Sequence, residues 1–282
     1  MNELDAAIGR ALGSPPVRYE PRPGGFSTAE RFTVTLADGR RVFVKSAEAP
    51  HLAEWLRREH EVYEGLECDV VPELHGFDDD GTRPLLAIED LSDADWAPAW
   101  SRPRVEAVSA ALADLAVAEP PPGIGSVRET FANLWGRWQL VAEDPTPFLS
   151  SGLRDAAWLE RALPVLIDAA EEAPIEGGDL CHLDVRSDNM CFRGDRVLLV
   201  DWNWTSLANA AVDVAAWLPS VHVEGGPPPW QLLPDAGPIA AWIAGVWAAT
   251  VGLPPPETAP SVRALQRAQL AVALDWLDRD LL

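Results

Sequence analysis

His182, Asp184 and Asn189 stand in the pattern H-x-D-x-x-x-x-N within Cys181-His-Leu-Asp-Val-Arg-Ser-Asp-Asn189. Met190-Cys-Phe-Arg193 follows, then Gly194-Asp195, then the run Arg196-Val-Leu-Leu-Val200, which ends at Asp201. Gly-Asp between two β-prone runs favours a hairpin turn. Symmetric pairing about that turn sets Asp201 opposite Asp188 and next to Asn189. Two hard oxygen ligands would then meet at the strand ends, with the Asp184 carboxylate on the loop before them. Such a set suits a magnesium-bound phosphate chain with a base beside it.

A phosphate chain also needs a cation. Lys45 is the only lysine of the sequence, every other basic residue being Arg. A chain so biased to Arg that keeps one Lys at a strand end points to a need for a compact ammonium on a slim stem; a surface lysine left by chance is the alternative. The segment 51–66 reads as a helix with Leu52, Trp55, Leu56, Val62, Tyr63 and Leu66 on one face. Glu59 falls on that same stripe, where a carboxylate is costly unless paired. Lys45 is its nearest candidate partner, and the alternative is a stripe edge that reaches water.

The elements that would position these groups change along the chain. Residues 2–12 read as a short helix and 17–44 as β, with Arg31-Phe-Thr-Val-Thr-Leu36 alternating faces, a turn at Asp38-Gly39, and a return along Arg41-Val-Phe-Val-Lys45. Gly24-Gly25 is a plain turn or a flap whose N–H groups approach phosphates. An apolar strand ends at Glu89-Asp90-Leu91. Beyond Ser92 the chain is helical, Ala- and Trp-rich, and broken by proline clusters at 120–122, 227–229 and 254–256. Helical periodicity covers 105–117, 130–142, 153–170, 210–218 and 261–281. The organisation expected is therefore a β-rich lobe over 1–91 and a helical lobe over 92–282 that carries the H-x-D-x-x-x-x-N loop.

The formal charge of −22 argues against a nucleic-acid binder, which needs a basic footprint, and accords with cationic small ligands. Three cysteines form no CxxC and no even framework, so a reducing compartment is expected, and Cys181, His182 and Cys191 lack zinc-site spacing. The N-terminus carries no apolar signal core, and the most apolar stretch, 239–253, is too short to span a bilayer. A cytoplasmic protein without membrane association is expected, a monomer or weak dimer. Lys45-Ser46 echoes a P-loop ending, yet Val44 replaces the glycine and the lysine closes a strand. A hydrolase using Asp184, Asp188 and Asp201 would need further ligands, and the five histidines are scattered.

The ordered series Lys45, Glu59, Asp184, Asn189, Asp201 resembles the kinase-like superfamily, and most closely its aminoglycoside phosphotransferase branch. The resemblance implies an α+β, bilobal protein-kinase-like fold with a small antiparallel β-sheet lobe plus a helix and a larger helical lobe. It implies ATP and Mg2+ as cofactors and transfer of the γ-phosphoryl group to a hydroxyl of a small, amine-bearing molecule such as an aminoglycoside-like antibiotic. Choline-like alcohols, hydroxylated amino acids, or a catalytically silent nucleotide-binding scaffold are the alternatives. By the same resemblance Lys45 would hold the α- and β-phosphates, oriented by Glu59, under a cover formed by Gly24, Gly25 and Ser27. Backbone groups from Glu89 to Leu91 would bond the purine, Asp184 would take or orient the hydroxyl proton, and Asn189 and Asp201 would bind magnesium. His182 would serve structure, and Asp213 would pin the catalytic loop, without excluding an N-cap role. The sequence departs from the pattern at Trp202-Asn203, where protein kinases have Phe-Gly, and at Ala208-Asn-Ala210, where Gly-x-Pro is frequent in the branch. No activation segment of the protein-kinase kind follows Asp201, which points away from a protein substrate.

Overall fold

The computed structural model describes residues 3–23, 27–96, 99–257 and 259–282. In chain order it begins with α1 (Glu3–Leu12), β1 (Pro16–Pro21), β2 (Glu30–Leu36), β3 (Arg41–Ser46), α2 (Pro50–Gly65), β4 (Leu74–Asp78), β5 (Leu85–Glu89) and β6 (Asp95–Trp96). Next come α3 (Arg102–Ala116), α4 (Val127–Thr130), α5 (Arg137–Glu143), α6 (Thr146–Ser150), α7 (Ala156–Glu172), β7 (Asp179–Cys181), β8 (Met190–Arg193) and β9 (Arg196–Leu199). The chain finishes with β10 (Ser206–Ala208), α8 (Ala211–Val223), α9 (Pro229–Leu232), α10 (Gly237–Ala248) and α11 (Val262–Asp280). Two compact units result. Met1–Pro98, Ala118–Pro122 and Asp188–Trp204 form one; Ala99–Val117, Gly123–Ser187 and Thr205–Leu282 form the other.

The first unit is built on an antiparallel sheet of order β1-β2-β3-β5-β4. Gly39, at φ 88°, and the Asp38 carboxylate, which accepts the Arg40 N–H at 3.0 Å, make the turn from β2 to β3. One sheet face buries Val34, Leu36, Val42 and Val44 against Ile8 and Leu12 of α1. Because side chains alternate along a strand, Lys45 stands on the other face, as does Arg31, its partner across the ladder. Helix α2 meets that face. It starts at Pro50, whose missing N–H costs nothing at a first helical position, and it buries Leu52, Leu56, Glu59, Val62 and Tyr63. Trp55, expected on the same stripe, is instead 38% exposed. It precedes Leu56 by a single residue, which turns it about 100° from the stripe's centre. There it packs against His51 and Trp204, with ring centroids 5.5 and 6.3 Å away.

Also in the first unit, β6, β8 and β9 form a three-stranded sheet. Gly194, at φ 62°, makes the two-residue turn, and Arg193 pairs with Arg196, Phe192 with Val197, Cys191 with Leu198 and Met190 with Leu199. Cys191 and Leu198 are buried with Leu91. The Leu199 N–H donates to the Val70 carbonyl at 2.8 Å, fixing the hairpin to the chain that follows α2.

The second unit is helical, apart from the short pair β7–β10. Helix α10 has no polar face, and Ile239, Ala240, Ala241, Trp242, Ile243 and Ala244 are all buried. Helices α5, α7, α8 and α11 surround it, as expected for a helix apolar all round. The helix expected over 130–142 is broken: α4 ends at Thr130, and α5 begins only after Gly136, which sits in the left-handed region at φ 67°. Helix α7 starts three residues later than expected because Asp155 caps it, accepting the Trp158 N–H at 2.7 Å. Among the described residues, no helix is long and apolar enough to cross a membrane.

Candidate active site

In the first unit the Lys45 ammonium lies between two carboxylates. Its Nζ donates to Glu59 Oε2 at 2.7 Å and also to Asp201 Oδ1. Lys45 is 11% and Glu59 3% exposed, so neither charge is left to water. Burial disfavours the ammonium, yet Asp201 and Glu59 outweigh burial and hold Lys45 above its ordinary value. Burial raises the Glu59 carboxyl, with Lys45 opposing and Asp201 reinforcing that direction. Two acids share one cation here.

Asp201 reaches Lys45 because of the hairpin. The β8–β9 register, continued by a hydrogen bond of 2.9 Å from the Val200 N–H to the Asn189 carbonyl, brings Asn189 and Asp201 to adjoining positions at the strand ends. This is the pairing expected from the Gly194-Asp195 turn. Asp201 has φ 66°, one of three described non-glycine residues with positive φ; the others are Leu183 and Asp235. Such backbone costs on the order of 1–3 kcal/mol and persists only where surrounding contacts enforce it. Asn189 and Asp201 carry an amide oxygen and a carboxylate, the kind of hard donors that a divalent ion such as magnesium takes while keeping several waters.

Gly24 and Gly25 lie outside the described residues. Ser27 is tied to Arg31, whose Nη2 donates to the Ser27 Oγ at 2.6 Å. Glu89 closes β5, and its carboxylate accepts the Glu73 N–H at 2.9 Å and pairs with Arg193. The Leu91 carbonyl accepts the Trp96 indole N–H at 2.8 Å and the Ala94 N–H at 3.1 Å. Arg193 lies outside the motif series. It donates to the Asp90 carbonyl at 2.7 Å and to Asp93 at 2.5 Å, besides Glu89, so one guanidinium clamps the segment 89–93. Its signal is weak in sequence, because the partners lie about a hundred residues away.

In the second unit β7 carries the chain into the H-x-D loop. Its partner strand β10 pairs Ser206 with Cys181 and leads into α8. The third residue of α8, Asp213, reaches back: its Oδ2 accepts the His182 N–H and its Oδ1 the Leu183 N–H, each at 2.7 Å. Ala210, not Asp213, holds the N-cap position, so the loop-pinning role is the one observed. These two bonds hold Leu183 at φ 61°. Asp213 is 3% exposed, and burial pushes its carboxyl up to about 6 despite both N–H donors. His182 is fully buried, and its Nδ1 accepts the Asp184 N–H at 3.2 Å. Asp184 itself pairs with Arg186, two residues on, a partner the motif did not reveal. Ser187 and the Trp100 indole N–H both donate to Glu224, the latter at 2.6 Å.

A model of the phosphotransferase enzyme family matches residues 18–277. The chain belongs to that family. Among solved structures, this phosphotransferase is similar to a spectinomycin phosphotransferase in complex with ADP and spectinomycin, at 13% identity over 99% of this chain and 98% of that one, with a TM-score of 0.63. It is similar also to the amicoumacin kinase hAmiN in complex with AMP-PNP, Ca2+ and Ami (12% identity, 96% and 93% covered, TM-score 0.55). A third is choline kinase from Cryptosporidium parvum Iowa II (10% identity, 99% and 92% covered, TM-score 0.54). These likenesses establish the kinase-like α+β fold expected from the motif series. No curated protein shows significant similarity to the sequence.

Proposed function

We propose that this phosphotransferase moves the γ-phosphoryl group of ATP to a hydroxyl of a small, amine-bearing molecule, an aminoglycoside-like antibiotic or amino sugar. The observation that carries the reading is the solitary lysine, buried between Glu59 and Asp201, with Asn189 brought beside Asp201 by the hairpin register. A preformed ammonium between two acids offers a phosphate chain a cation whose position costs no reorganisation. Lys45 binds the α- and β-phosphates, Glu59 fixes its direction, and Gly24, Gly25 and Ser27 cover the phosphates. The segment from Glu89 to Leu91, held by Arg193, offers backbone groups to the purine.

Asn189 and Asp201 are the residues that would hold Mg2+, which supplies charge neutralisation on the phosphate oxygens. Asp184 accepts or orients the proton of the attacking hydroxyl, with Asp213 fixing the loop that carries it. The ADP and AMP-PNP complexes of the spectinomycin and amicoumacin enzymes support the nucleotide part of the reading. The net charge of −22 supports a cationic acceptor, because a negative surface raises its local concentration. The likeness to choline kinase favours a second acceptor class, choline-like alcohols, with the same chemistry.

The test is ADP release measured across amino sugars, choline-like alcohols and hydroxylated amino acids, in the wild type and in Asp184→Ala. The variant should lose transfer to the wild type's best acceptor while binding nucleotide nearly as well. Near-normal turnover in Asp184→Ala would overturn its assignment, and a wild type that turns over only uncharged acceptors would overturn the acceptor class.

A further inference from the structure

Arg31 is a cation on the same sheet face as the sole lysine. It stands directly across the β2–β3 ladder from Lys45, at a spacing where side chains interact and like charges repel. Lys45 feels that repulsion, while Glu59 is stabilised as a carboxylate by Arg31. A sheet that places two cations opposite each other spends stability unless anions sit among them, and Glu59 and Asp201 are the two anions present on Lys45.

The guanidinium is aimed and held. Its Nη1 donates to the Ser27 carbonyl at 3.2 Å and the Ala29 carbonyl at 3.0 Å, and its Nη2 donates to the Ser27 Oγ at 2.6 Å. Those bonds take three of the five guanidinium N–H groups. The Nε–H and the second Nη2–H have no acceptor among the described residues. Nε and Nη2 form the side edge of the fork, the edge that matches two oxygens of one phosphate.

Resting on the nucleotide reading above, we propose that Arg31 is a second phosphate-binding residue, gripping the nucleotide's phosphate chain with its Nε–Nη2 edge beside Lys45. Its other edge keeps residues 27–29 in place. The two cations then divide the work: Lys45 supplies a point charge between the acids, and Arg31 supplies a planar two-point contact.

The experiment is calorimetric titration of adenosine and of ADP (or the guanine pair, if that base binds) into the wild type, Arg31→Gln, Arg31→Lys and Lys45→Met. Arg31→Gln should weaken ADP by about tenfold or more, the worth of a charge-assisted hydrogen-bond pair, and leave adenosine unchanged within about twofold. Arg31→Lys, which restores charge without the fork, should recover part of the ADP loss. The unchanged adenosine affinity shows that the variant is folded. ADP and adenosine falling together, ADP unaffected, or Arg31→Lys no better than Arg31→Gln would each make Arg31 a loop anchor only and overturn the proposal. Lys45→Met separates the two levels. If it loses ADP while Arg31→Gln does not, only this inference falls; if Lys45→Met binds ADP like the wild type, the nucleotide reading falls and takes this inference with it.

Discussion

Glu59 and Asp213 are each 3% exposed, yet the protein satisfies these two carboxylates by different means. Glu59 faces the charged Lys45 ammonium, which also holds Asp201. Asp213 faces two neutral backbone N–H groups, those of His182 and Leu183. A neutral donor offsets less of the burial of a charge than a cation does. Burial raises both carboxyls, Asp213 up to about 6, but the group opposing it at Glu59 is a cation that its acids keep charged. In the proposed function the first arrangement holds a charge ready for a ligand. The second holds a backbone in a strained shape. An acid that fixes a loop can be neutral part of the time, but an ammonium that binds phosphate cannot.

The largest expected effect comes from removing the cation. Lys45→Met leaves Glu59 buried without its partner and should cost about 3–5 kcal/mol of stability, read by urea denaturation, together with at least about a thousandfold of turnover. Retained turnover would erase the distinction drawn above, since both acids would then be structural. Lys45→Arg should be nearly as inactive, because the bulkier planar fork does not fit a seat shaped for an ammonium.

Next in size is Asp213→Asn. The amide offers one acceptor where two N–H groups need two, so the Leu183 strain loses half its support. A stability loss of about 1–3 kcal/mol is expected, with turnover down more than nucleotide affinity. If nucleotide affinity fell in proportion to turnover, Asp213 would not be acting through the loop.

The third prediction is a pH profile. Protonation removes one Asp213 acceptor, so turnover in the wild type should fall as the pH drops through about 6, and Asp213→Asn should lack that limb. Stability moves the other way. The folded carboxyl takes its proton near 6 and the unfolded one near 3.8, so the folded chain binds more protons between them. This contribution is fully present below 3.8 and lost as the pH rises through 6, an effect on the order of 2–3 kcal/mol. A melting temperature that falls on acidification across that window in the wild type relative to Asp213→Asn contradicts the assignment.

The smallest effect is expected from Glu59→Gln, which keeps an acceptor for Lys45 and leaves Asp201 as its charged partner. About a tenfold loss of ADP affinity is expected by calorimetry. A loss as large as that of Lys45→Met would mean that Glu59, not Asp201, carries the ammonium.

Much of this was legible in the chain. The Gly194-Asp195 turn sets the hairpin register, because a two-residue turn leaves no freedom in which residues oppose each other. Glu59 on an apolar stripe and Lys45 as the lone lysine predicted a pair that stands at 2.7 Å. The Asp38-Gly39 signal misleads by one residue: a two-residue turn there would set Ser46 opposite Arg31, but three residues, 37–39, join the strands and bring Lys45 opposite Arg31 instead. Other features have no local signal. Arg193 clamps Glu89 and Asp93 through contacts about a hundred residues apart. Arg186 could be read as any solvated arginine of the motif until its pairing with Asp184 was seen. Trp55 went astray because an aromatic next to a stripe adds hydrophobicity to the pattern whichever way it turns. The helix over 130–142 failed at Gly136, where a left-handed backbone outweighed apolar periodicity.

The most direct test of the proposed site is the magnesium dependence of ADP binding in the wild type and in Asp201→Ala, titrated with magnesium and with a chelator. The wild type should bind ADP more tightly with magnesium, and Asp201→Ala should show the same weak affinity under both conditions. An Asp201→Ala protein that keeps the full magnesium-dependent gain would contradict the site.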